Sequence, residues 1–120
     1  MKVLIVDDSK VMRVILTRII KEMGHETIEA GDGQDALKKT EEAGGVGLAL
    51  VDWNMPVMNG LEFVKALRAD SRFSGIPVMM VTTETEMGQV QLALQAGANN
   101  YVTKPFTADV IQEKMKAMGF

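Results

Sequence analysis

The sequence contains no cysteine, which excludes a disulfide framework and every cysteine-ligated zinc site. It has no excess of positive charge either. Thirteen Lys and Arg stand against sixteen Asp and Glu, giving a net charge of −3, which disfavours non-specific adhesion to nucleic acid or an anionic membrane. No apolar run approaches the ~18 residues of a membrane span. Met1-Lys2 leads straight into a short β-rich run without a small-residue cleavage site, so no signal peptide is expected. A cytoplasmic protein with no nucleic-acid and no membrane partner is the expectation. Histidine occurs once, and His25, just after Gly24, reads as a solvated turn residue rather than a ligand.

What is present is an ordinary globular composition, 47% hydrophobic and 24% charged, in 120 residues. That length suits one domain spanning 1–120 with a single real core. The ten methionines read first as flexible core filling, and alternatively as an adaptable partner surface.

Two periods alternate along the chain. Short apolar runs occur at Lys2–Val6, Thr27–Ala30, Gly47–Val51, Ile76–Val81 and Tyr101–Thr103, each followed by helical spacing. After the first run Met12, Ile15, Leu16, Ile19 and Met23 predict one helix face, stopped by Gly24. A second helix is expected from Gly33 to Glu42, with a weak stripe at Ala36, Leu37 and Thr40. A third runs from Gly60 to Ala69 with Leu61, Val64 and Leu67. A fourth runs from Glu86 to Ala96 with Met87, Val90 and Leu94, and ends at Gly97. Its internal Gly88 costs about 1 kcal/mol relative to alanine and marks it as a mobile helix. The fifth starts at an N-cap, Thr107, and buries Ile111, Met115 and Met118. Asn59-Gly60 has the form of a hairpin turn, but no strand-like alternation flanks it. Five β-α units predict an α/β fold, a doubly wound five-stranded parallel sheet with five helices.

Ligands of such sheets bind beyond the carboxyl ends of the strands, so the residues after each apolar run matter most. They are Asp7 and Asp8, Asp52, Thr82 and Thr83, and Lys104; the second run ends in turn residues, Ala30-Gly31-Asp32. Singly each has a plain reading: Asp8 or Ser9 as a helix cap, Asp52 as a turn residue, Lys104 as a surface lysine. Their convergence on one sheet edge is the signal. Two carboxylates about 5 Å apart repel by roughly 3 kcal/mol at an effective dielectric of about 20. A hard divalent ion such as Mg²⁺ relieves this, because it takes oxygen ligands and shares them with phosphate. A carboxylate can also act as nucleophile and form an aspartyl phosphate, with metal and lysine stabilising the transferring group.

With these residues assembled, the chain resembles the receiver domain of two-component response regulators over essentially its full length. Within that family it is most similar to the stand-alone chemotaxis regulators. The stretches that carry the resemblance are "VDDS" with "MR" following, "DWNMPVMNG", "MVTTE" and "QAGANNYVTKPF". The resemblance implies a flavodoxin-like (βα)5 fold of strand order 2-1-3-4-5 and no output domain. It implies Asp52 as phosphoacceptor, with Asp8, Asp52 and the Asn54 backbone carbonyl as Mg²⁺ ligands and Asp7 acting through water. Lys104 would pair with the phosphoryl group and Thr82 would hydrogen-bond it. Tyr101 would change rotamer on the face built by the fourth helix, fifth strand and fifth helix, where Lys114 matches a basic position. Asn54 and Glu84 would tune dephosphorylation, and Lys104-Pro105 would be cis.

Implied partners are a CheA-like histidine kinase and a flagellar motor switch protein or another target protein, met by a monomer. The chain departs from the chemotaxis pattern at Glu86 and Met87, where lysines are common, and at Thr83, where a smaller residue is frequent. The chain would turn over no external substrate; self-phosphorylation and autodephosphorylation would be its chemistry. The alternatives are a single-domain receiver in a phosphorelay or other non-chemotaxis pathway and, remotely, an aspartate-nucleophile phosphatase. The phosphatase class places a general acid where Asn54 stands. A flavin site, a further alternative on this fold, would be repelled by Asp7 and Asp8.

Overall fold

The computed structural model describes residues 1–83 and 88–120. Along the chain it runs β1 (Lys2–Val6), α1 (Lys10–Glu22), β2 (Glu26–Ala30), α2 (Gly33–Ala43), β3 (Val46–Asp52), α3 (Gly60–Ala69), β4 (Val78–Thr83), α4 (Val90–Ala96), β5 (Asn100–Lys104) and α5 (Ala108–Ala117). All strand pairs are parallel and the sheet order is β2-β1-β3-β4-β5. β1, β3 and β4 are therefore internal and covered on both faces. This is why they read as unbroken apolar runs rather than alternating ones.

Strand alternation sorts the core into two halves. Val3, Ile5, Leu48, Leu50, Met79 and Val81 meet α1 and α5 through Leu16, Ile19, Ile20, Ile111 and Met115. Leu4, Val6, Ala49, Val51, Val78 and Met80 meet α2, α3 and α4 through Ala36, Phe63, Val64, Leu67 and Ala93. Met79, Met80 and Met115 are fully buried, so at these positions methionine does fill core.

Helix ends follow their side chains. Ser9 Oγ accepts from Met12 N–H at 3.2 Å, Asp32 Oδ1 from Asp35 N–H at 2.8 Å and Thr107 Oγ1 from Val110 N–H at 3.3 Å. Asn59 and Glu62 form a reciprocal capping box at the start of α3, in agreement with the rejection of a hairpin at Asn59-Gly60. α1 ends where Gly24 takes the left-handed conformation, φ +88°.

Several helix faces differ from their predicted stripes. Ile15 is 41% exposed and lies with Val11 and Val14 on the outer flank of α1, while Ile20 takes the core position. In α3 the core residue beside Val64 and Leu67 is Phe63, and Leu61 is only half-buried. Leu37, Leu94 and Met118 are likewise half-buried. The shared reason is that a helix of 3.6 residues per turn buries i, i+1 and i+4 as readily as i, i+3 and i+6.

The α4 helix begins at Val90, and Gly88 lies in a 3₁₀ turn ahead of it rather than inside it. The expected start at Glu86, with Met87, falls outside the described residues. At the other end of this helix Arg68 of α3 donates from Nε and Nη2 to the Gly97 carbonyl at 3.1 and 2.8 Å. Its Nη1 reaches the Ser74 and Ile76 carbonyls and its Nη2 the Asn99 side chain. Burial lowers the pKa of this guanidinium from its ordinary value. Among the described residues no helix is long and apolar enough to cross a membrane.

Candidate functional site: an acidic pocket at the sheet's carboxyl edge

β1 and β3 are adjacent in the sheet, with Val6 beside Val51, so the residues that follow them emerge side by side. Asp7, 1% exposed, extends the ladder by donating its N–H to the Ala30 carbonyl at 3.1 Å. Its Oδ1 accepts the Ser9 N–H at 2.8 Å, which turns the chain into α1 and leaves Asp8 exposed to solvent. Asp52, 6% exposed, is the last residue of β3, and its Oδ1 accepts the Trp53 N–H at 2.9 Å. One carboxylate oxygen from each of Asp7, Asp8 and Asp52 lies within 4.8 Å of the others. The sequence placed these three acids together, and the fold brings them together.

Lys104 arrives from the end of β5. Its Nζ stands 3.1 Å from Asp7 Oδ2 and 3.3 Å from Asp52 Oδ1, so one ammonium bridges two buried acids. Burial pulls this ammonium down. The charges of Asp52 and Asp7 and their hydrogen bonds outweigh it, and the pKa ends above the ordinary lysine value. The peptide bond to Pro105 is cis, as the resemblance implied.

Thr82 is fully buried near the end of β4, and its Oγ1 has no hydrogen-bond partner among the described residues. A buried hydroxyl left unpaired costs about 1–3 kcal/mol. Thr83 has the opposite strand parity. Tyr101 on β5 pairs in register with Met80, two residues before Thr82 and on the same face of the sheet. Lys114 Nζ of α5 sits 5.3 Å from the Tyr101 ring centroid, a cation–π arrangement. The two residues, with Phe106, Thr107 and Val110, line a cleft of about 400 Å³. Asn54 is exposed just beyond Asp52, while Glu84 lies outside the described residues.

The donor set suits a hard cation: oxygen ligands only, three of them anionic and converging, with no sulfur or imidazole among the described residues there. Mg²⁺ fits this set better than a softer metal would.

Two residues that shape the pocket were not among the expected site residues, although both lie in the stretches that carry the resemblance, Arg13 in "MR" and Gly60 at the end of "DWNMPVMNG". A Cβ on Gly60 would stand 2.2 Å from the backbone carbonyl oxygen of Asp52, so α3 can start this close to the strand end only with glycine there. Arg13, one turn into α1, reaches back to the Asp7 carbonyl at 2.7 Å.

A doubly wound parallel sheet with three acids and a lysine gathered at the carboxyl ends of β1, β3 and β5 defines an acidic-pocket domain of the flavodoxin-like class. The chain belongs to the response regulator receiver domain family, whose model matches residues 3–116. It is 45% identical over 119 residues to the chemotaxis protein CheY1 of Helicobacter pylori, covering 98% of this chain and 96% of that one. It is 44% identical over 117 residues to a CheY homologue of Campylobacter jejuni, covering 97% and 90% respectively. Among solved structures, CheY4 of Vibrio cholerae superposes with a TM-score of 0.89 at 37% identity, covering 97% of this chain and 96% of that one. Phosphorylation-dependent switching in two-component signalling is general to this family, as is an acidic pocket that binds Mg²⁺.

Proposed function

We propose that this chain is a phosphorylation-activated switch of the chemotaxis type. Asp52 takes a phosphoryl group from a phosphohistidine of a CheA-like kinase, and the modified chain changes its affinity for a flagellar motor switch protein. The observation that carries the reading is the single ammonium of Lys104 set between Asp7 and Asp52 beside a third, solvent-facing acid.

Asp8, Asp52 and the Asn54 carbonyl would hold Mg²⁺, with Asp7 acting through water; bound there, it would supply charge compensation to phosphoryl oxygens. The Asp52 oxygen attacks phosphorus, the P–N bond of the donor breaks, and an acyl phosphate forms while the donor imidazole keeps the electron pair. Lys104 follows the negative charge outward from the carboxylates to the new phosphoryl oxygens. The buried Thr82 hydroxyl, without a partner among the described residues, donates to one of those oxygens and draws the end of β4 toward Asp52. Tyr101 lies on the same sheet face and packs against the same half of the core, so it registers that movement. The cleft beside it, with Lys114 at its rim, is the surface on which a target would be gained or lost. Hydrolysis of the acyl phosphate resets the switch, tuned by Asn54 and Glu84, and no external substrate is turned over. The similarity to chemotaxis relatives favours that pathway over a general phosphorelay.

Acetyl phosphate with Mg²⁺ tests the chemistry. Wild type should be labelled on Asp52, and Asp52→Asn, which keeps shape but not nucleophilicity, should not. Label that persisted in Asp52→Asn would move the acceptor to Asp7 or Asp8. Beryllofluoride should shift the NMR resonances of residues 100–104 in wild type and leave them in place in Thr82→Ala.

A further inference from the structure

The β1–α1 corner carries the two acids Asp7 and Asp8, and its conformation sets where they stand relative to Asp52. The corner is held from behind. Arg13 projects back along α1, and its Nη1 donates to the Asp7 carbonyl at 2.7 Å. Its Nε pairs with Glu29 Oε1 at 3.2 Å, tying the guanidinium to β2. Only 19% of the arginine side chain is exposed. Lys39 donates to the Glu29 carbonyl and pairs with Asp35 at 3.2 Å, so the charges around Arg13 alternate in sign.

Asp7 is the first residue past the end of β1. Its N–H completes the ladder to Ala30, but its carbonyl has left the ladder. A charged donor here is a stronger partner than water and fixes the peptide plane that joins Asp7 to Asp8. Turning that plane would move both carboxylates, since one lies on each side of it. Arginine is suited to this task because its planar fork meets the carbonyl and Glu29 in different directions at once. Glu29 has a second effect. It balances the guanidinium charge, so Arg13 can stand behind the acids without repelling a cation in front of them.

We infer that Arg13 is a positioning residue for the acidic pocket, holding Asp7 and Asp8 in place for a divalent cation through the Asp7 carbonyl, with Glu29 as its counter-ion. This rests on the reading of the pocket as a Mg²⁺ site. Groups that orient metal ligands from behind typically change affinity by about 10- to 100-fold when removed.

The test compares wild type with Arg13→Met and Arg13→Lys, which keep most of the apolar stem. Two readouts are used. The first is Mg²⁺ affinity from the fluorescence of Trp53, the sole tryptophan, adjacent to Asp52. The second, without metal, is hydrogen exchange of the Ser9 amide, which reports its bond to Asp7 Oδ1. Arg13→Met should weaken Mg²⁺ binding about tenfold and speed Ser9 exchange about tenfold, with the amides of β3 and β4 unchanged. Arg13→Lys, which keeps the charge and one donor, should recover part of both. A purely structural role would speed exchange of all core amides together, and that pattern would overturn the inference. So would a Mg²⁺ affinity in Arg13→Met equal to or tighter than wild type. A wild type with no saturable Mg²⁺ response would instead sink the metal site itself, and with it this role for Arg13.

Discussion

Replacing Gly60 with alanine isolates the contact that seats α3 against the end of β3. The added Cβ would lie 2.2 Å from the Asp52 carbonyl oxygen and 3.0 Å from Met80 Cε. The methionine end can swing away, but the carbonyl belongs to an internal strand and cannot. The start of α3 must therefore retreat by about 1 Å or more to reach ordinary van der Waals contact. That retreat stretches the bond from Gly60 N–H to the Trp53 carbonyl, now 2.9 Å, which is worth about 0.5–1.5 kcal/mol. Overpacking adds about 1–3 kcal/mol. The higher helix propensity of alanine returns at most about 1 kcal/mol. The net expectation is a loss of about 0.5–4.5 kcal/mol. At about 4 °C per kcal/mol for a chain of this size, Tm should fall by roughly 2–18 °C. Urea unfolding followed through Trp53 emission gives the free energy directly. Because the strained contact is on Asp52 itself, Mg²⁺ affinity should fall as well. An alanine variant within 0.3 kcal/mol of wild type, roughly the precision of such a comparison, would refute the steric argument.

Val57 holds φ +67° and is 71% exposed. The left-handed region costs a β-branched residue about 1–2 kcal/mol, and Val57→Gly should raise the unfolding free energy from urea melts by about 0.5–1 kcal/mol after the extra chain entropy of glycine is subtracted. Thr82→Val removes a buried hydroxyl that has no partner among the described residues while keeping shape, so it should leave the fold as stable or about 1 kcal/mol more stable. A loss above 1 kcal/mol would mean the hydroxyl already has a partner. The Lys104 pKa is raised, so its pairing contributes stability that is full below the unfolded lysine value of about 10.4 and is lost as pH rises through the higher folded one. Asp52→Asn deletes the leading charge that raises it, and an Nζ-detected NMR titration should show the Lys104 pKa fall; an unmoved titration would contradict the bridging geometry.

The carboxyl edge of the sheet was legible because internal parallel strands are apolar throughout, so the first polar residue marks where each one ends. Asp7, Asp8, Asp52, Thr82 and Lys104 all stand at such breaks. The helices were legible in extent but not in rotation. At 3.6 residues per turn, Ile15 and Ile20 are equally good candidates for a face, and only the neighbouring sheet chooses Ile20. The contacts of Arg13 and Arg68 were not legible for a different reason. A charged residue in an amphipathic helix reads as solvated, and nothing in the sequence says that its partners are backbone carbonyls 6 and 29 residues away. Gly60 was legible as the start of the third helix, and its purpose emerges only from the carbonyl it must avoid.

The two bonds of Lys104 span 97 residues to Asp7 and 52 to Asp52. Contacts so distant along the chain close loops whose entropy grows with length, about 4 kcal/mol for the longer one. They are affordable only once the sheet between them is in place. The bridge of Lys104 therefore presupposes the strands between, because β5 is joined to β1 only across β4 and β3. A partly folded chain can display Asp7, Asp8 and Asp52 but not the ammonium between them. The pairing of Lys104 with Asp7 and Asp52 thus reports that the full width of the sheet from β1 to β5 is assembled.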